Sequence, residues 1–61
     1  MKVIKVSNFD RESVSDVLVI AGVDKHWAER IAEGLNELEG ENSEDYFKAV
    51  KDNHKLYTYN P

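Results

Sequence analysis

Glu29, Glu33 and Glu37 recur at every fourth residue, and Lys25 begins the same row. That spacing stacks side chains on one face of an α-helix. Carboxylates in such a row can exchange protons in a cleft that pushes their pKa values apart, ligate a metal beside histidine, or attract cations through an exposed field. The first needs a concave site, which a chain of 61 residues scarcely forms. The sequence also has no cysteine nucleophile, no His-Glu-x-x-His pair and no glycine-rich phosphate loop. Enzymatic activity is therefore not expected, and neither is a cofactor. The second use has little support: His26 shares a face with Glu29 and Glu33, but real sites want more ligands and an ordered second shell. His26 and His54 read as solvated surface histidines, and no metal site is expected.

Docking is the third use, and the one the row fits best. Like charges at this spacing cost about 0.2–0.5 kcal/mol per pair, so selection for stability alone would have alternated the signs. The expected partner-binding face comprises Glu29, Glu33 and Glu37 with Arg30 and Lys25. Its partner would be a protein that is basic or itself binds nucleic acid. A plainer reading makes the same row a solvated, solubilising face. Both stand on the sequence alone.

The charge distribution sharpens this picture. The formal net charge is −4, yet residues 29–45 hold seven acids against Arg30 alone, leaving the remainder of the chain slightly positive. An acidic band repels phosphate and favours basic partners. With 41% hydrophobic residues and six aromatics the composition is that of a globular domain. No apolar run is long enough to span a bilayer and no secretory leader is recognisable. One cytoplasmic domain covering 1–61, away from membranes, is expected. No cysteine is available to staple it, so the core or a partner must supply the stability.

The elements that must position these residues read as follows. Lys2-Val3-Ile4-Lys5-Val6 is rich in β-branched residues and predicts a strand. Asp10 is a candidate N-cap, and Val14, Val17, Leu18 and Ala21 follow helical spacing. The run Val17-Leu18-Val19-Ile20 also suits a short buried strand. Helix is preferred because Gly22 supplies a left-handed ending. Asp24 then caps a second helix from about Lys25 to Leu38, in which Trp27, Ala28, Ile31, Ala32, Gly34, Leu35 and Leu38 form one apolar sector. Trp27 reads as a core anchor, or as an interface hot spot if only partly covered. Gly40 ends this helix, and Ser43 caps a third that carries Tyr46, Phe47 and Val50. Residues 54–59 read as a closing strand. The expected fold is α+β in the order β-α-α-α-β. Its terminal strands pair under helices on one face and leave an open edge beside Tyr57 and Tyr59, where another chain can add a strand.

Two helices meeting at Ala21-Gly22-Val23-Asp24 also resemble a DNA-reading helix–turn–helix. The helix that would enter the groove presents glutamates where base readers present Arg, Lys, Asn or Gln. Direct nucleic-acid binding is therefore the alternative reading, with a self-associating structural subunit or homodimer as a third. The aromatic side chains of Phe9, Tyr46, Tyr57 and Tyr59 suit base stacking, but without surrounding cations they read as core and sheet cover.

Finally, Lys5-Val6-Ser7-Asn8-Phe9-Asp10 runs into Glu12-Ser13-Val14-Ser15-Asp16-Val17-Leu18. Tyr46-Phe47 is followed by Lys55-Leu56-Tyr57 and a terminal proline. Together these segments resemble short hypothetical proteins of tailed bacteriophages and prophages, across about half of the chain and with no active residue to carry over. The resemblance implies a small phage accessory protein, acting in the host cytoplasm by binding and often inhibiting a host protein.

Overall fold

The computed structural model describes residues 1–8, 13–40 and 44–59. Strand β1 spans Lys2–Ser7, β2 spans Val17–Ile20, helix α1 spans Lys25–Glu39 and β3 spans Asp45–Val50. The three strands form one antiparallel sheet in the order β2-β1-β3. The β2 and β3 strands are therefore parallel to each other across β1, and α1 is the crossover between them, a split β-α-β unit.

This architecture overturns the β-α-α-α-β expectation. The described residues hold one helix rather than three, and the segment expected to close the sheet at 54–59 forms no strand. Val17–Ile20 takes the strand alternative, though exposed along its length rather than buried. Three of its four residues are β-branched, and pairing with β1 supplies the partner that an apolar run without periodicity needs. Asp45–Val50 is also a strand. Its alternation, which adjacent Tyr46 and Phe47 had suggested was a helix face, sends Phe47 and Ala49 toward α1 while Tyr46, Lys48 and Val50 take the reverse face. A helix of that length has little stability of its own, whereas six consecutive pairings from Lys2↔Val50 to Ser7↔Asp45 secure the strand. With no helix before Gly22 among the described residues, the corner at residues 21–24 is a strand-to-helix turn, not a helix–turn–helix. Gly22 still takes the left-handed backbone, with φ of 75°, at the corner from β2 into α1. The caps assigned to Asp10 and Ser43, and the residues Phe9 and Pro61, lie outside the described residues.

The helix itself forms as its sequence dictates. The Asp24 carboxylate accepts the Trp27 backbone N–H at 2.9 Å, satisfying one of the first unbonded donors. Gly40, with φ of 83°, ends it while its N–H donates to the Asn36 carbonyl. Beneath it, Val3, Ala28 and Ala32 form a small core flanked by Met1, Val23, Ile31, Phe47 and Ala49. On the reverse face of β1, Ile4 and Val6 are also fully buried, beside their cross-strand neighbours Leu18, Lys48 and Tyr46. Residues 54–59 are tied to the start of β2. Asp16 N–H donates to the Tyr57 carbonyl, Tyr57 N–H donates to Asp16 Oδ2, and Tyr59 N–H donates to Ser15 Oγ, at 2.7–2.9 Å. Helix α1 lies over β3 and β1 and does not reach β2.

Candidate protein-docking groove

Side chains four apart on α1 form adjacent rows, and three rows settle how the helix sits. The middle row, Ala28-Ala32-Asn36, meets the sheet. Ala28 and Ala32 are buried, and their small side chains let the helix approach β3 closely. Asn36 completes the row by hydrogen bonding to the backbone of Phe47: its Nδ2 donates to the Phe47 carbonyl at 2.8 Å, and Phe47 N–H donates to Oδ1 at 2.7 Å. An amide used in this way offers one donor and one acceptor, as a neighbouring strand would, and closes the outer edge of β3 at that point.

The row to one side is Glu29-Glu33-Glu37, and the row to the other contains Trp27, Ile31 and Leu35. Because the contact is centred on the alanines rather than on the middle of the apolar sector, the far side of that sector stays in solvent. Trp27 is 56% exposed and Leu38 84%. The core-anchor role expected for Trp27 is thus overturned: Ala28 and Ala32 take that place, and Trp27 keeps an edge-on contact with the His26 ring at a centroid distance of 5.5 Å.

Glu29, Glu33 and Glu37 line an open groove of about 770 Å³ between α1 and β3. Ala32, Asn36 and Ala49 also line it, Asp45 stands on its β3 side, and Tyr46 borders it along the strand with its side chain on the reverse face of the sheet. A concavity of this extent was not expected from so short a chain; laying a crossover helix along a sheet edge creates one without enclosing it. Asp45 approaches Lys5 at 3.9 Å. By contrast, no cation among the described residues lies within ion-pair distance of Glu29, Glu33 or Glu37.

The remaining candidates are placed elsewhere. Lys25 and Arg30 are exposed on α1 and do not line the groove. Tyr57 and Tyr59 do not flank a sheet edge of their own strand, since none forms there, and the N–H of each is already engaged by Asp16 or Ser15. Among the described residues no group of three His, Asp or Glu side chains is arranged to hold a metal, and no helix is long and apolar enough to cross a membrane. Sequence reasoning missed Asn36, Tyr46 and Ala49 as groove residues. Asn36 alone carried a signal, its place four residues beyond Ala32 in the contacting row.

Comparison of the chain with protein-family models, curated proteins and solved structures finds no match.

Proposed function

We propose that this chain is a non-catalytic interaction module that takes a lysine- or arginine-bearing segment of a partner protein into the groove between α1 and β3. The observation that carries this is the row of three carboxylates, without an ion-pair partner among the described residues, along one wall of a groove containing two alanines. Basic side chains of a bound segment would meet the glutamates, and small apolar residues would sit against Ala32 and Ala49. Such a surface favours fast, salt-sensitive association and discriminates against acidic partners. The resemblance of the opening and closing segments to short hypothetical proteins of tailed bacteriophages and prophages implies an accessory protein, which makes a host protein, in the cytoplasm, the first partner to seek.

The test is affinity capture at low and moderate salt, comparing the wild-type chain with a Glu29→Gln, Glu33→Gln, Glu37→Gln variant. The reading requires a basic protein held by the wild type and weakened roughly tenfold or more by the triple change, the scale of losing close charge pairs. Removing like-charge repulsion leaves stability equal or slightly raised, so loss of capture would not reflect unfolding. Equal capture by both proteins, or none by either at low salt, refutes the groove.

A further inference from the structure

We propose that the segment bound in the groove is extended rather than helical, carries basic residues at alternate positions, and pairs through its main chain with Ala49. The proposal rests on the groove reading above and names the shape of its occupant. Two contacts fix which backbone groups of β3 are already used. Asn8 N–H donates to the Glu44 carbonyl at 2.7 Å, and Asn36 holds both the N–H and the carbonyl of Phe47. Along an antiparallel strand, residues bonded to one neighbour alternate with residues that face away from it. Tyr46, Lys48 and Val50 share the phase of Glu44 and bond to β1. Ala49 shares the phase of Phe47, so its N–H and carbonyl turn to the outer edge. Asn36 serves Phe47 alone. No hydrogen bond from outside the sheet reaches these two groups of Ala49 among the described residues, and Ala49 is half-buried on the wall of the groove.

Charge complementarity makes the occupant basic, and Ala49 decides its shape. Residues four apart on α1 are separated by about 6 Å along the axis, which spaces Glu29, Glu33 and Glu37. Alternate side chains of an extended segment repeat at about 6.6 Å, so lysine or arginine at every second position meets the carboxylates in step. A helix with a basic residue at every fourth position matches the row equally well. Such a helix, however, has its N–H and carbonyl groups bonded internally. Lying in the groove it would strip water from the edge of Ala49 and return no hydrogen bond, leaving a donor and an acceptor desolvated. An extended segment offers both partners there, as in the addition of a strand to a sheet edge. Because Asn36 closes the edge at Phe47, main-chain pairing is confined to Ala49. The three carboxylates supply the rest of the grip.

Two capped synthetic peptides of equal length and charge test this by fluorescence anisotropy at low salt. One alternates lysine with valine; the other is stapled into a helix with lysine at every fourth position. The alternating peptide should bind the wild-type chain roughly tenfold or more tightly than the stapled helix, the scale of two hydrogen bonds made rather than left unmade. Hydrogen exchange at the Ala49 amide, followed by NMR, should slow when the alternating peptide is bound. A stapled helix that binds as tightly as the alternating peptide, or an Ala49 amide whose exchange is unchanged by it, would overturn the extended shape. If that binding is still lost in the Glu29→Gln, Glu33→Gln, Glu37→Gln variant, the groove reading survives this failure. Binding of neither peptide, or binding indifferent to the triple change, would overturn the groove reading and the extended occupant together.

Discussion

Asn36 shows how one side chain can decide the placement of an element. Its amide exchanges two hydrogen bonds with the backbone of Phe47, so it sets both the depth and the rotation of α1 against β3. Replacement by alanine leaves the N–H and carbonyl of Phe47 without these partners at a half-buried position. Asn36→Ala should cost about 1–3 kcal/mol, the penalty for unmaking such bonds, measurable as a lowered urea midpoint with the slope unchanged. The contribution of Asn36 was hidden in the sequence because an asparagine between Leu35 and Glu37 looks like one more solvent-facing residue. The glutamates were legible, since a four-residue spacing on a strongly periodic helix fixes a face. That this face walls a groove was not, because the opposite wall comes from a strand that could not be recognised.

Among the elements, α1 was legible from end to end. Asp24, Gly40 and an uninterrupted apolar sector all point to the same boundaries, and the structure places the helix at Lys25–Glu39. The β1 strand was equally plain from its β-branched run. By contrast, β2 and β3 were misread for one physical reason: a four- to six-residue apolar run acquires its identity from the strand it pairs with, and β1 lies far away in the sequence for β3. The rotation of the helix was also invisible, since an apolar sector shows which side faces inward but not which row makes the contact. The interior of α1 still carries a local weakness. Gly34 has no φ requirement, and an added Cβ there would meet nothing within 4 Å. Gly34→Ala should therefore stabilise the protein by about 0.5–1 kcal/mol through reduced backbone freedom in the unfolded chain. Thermal unfolding followed at 222 nm, a far-ultraviolet helix signal, reads this as a higher midpoint.

Across the whole molecule, the groove and the sheet rest on a very small interior. Only Val3, Ile4, Val6, Ala28 and Ala32 are buried apolar residues among those described, so the residues after β3 matter to how the sheet is finished. Asp16 ties them down: it is 8% exposed, its Oδ2 accepts the Tyr57 N–H, and its Oδ1 has no hydrogen-bond partner among the described residues. Asp16→Ala removes that bond and, with it, a buried oxygen whose desolvation nothing repays. Local release should therefore exceed global loss. Hydrogen exchange at the Tyr57 amide should quicken roughly tenfold or more, as expected for losing its bond to the Asp16 carboxylate, while the β1 amides bonded to β3 change far less. Equal acceleration at both places would mean that the clasp and the sheet open as one unit.

The central position of β1 also has a temporal consequence. Its neighbours on both sides come later in the chain, and β3 follows only after the crossover helix. At the about 5–20 residues per second of ribosomal synthesis, Val3, Ile4 and Val6 must wait some seconds for the partner strand that shields them. During translation β1 thus has only β2 to pair with until the crossover helix and β3 have been made, and for that interval one edge of its valine- and isoleucine-rich backbone stands open.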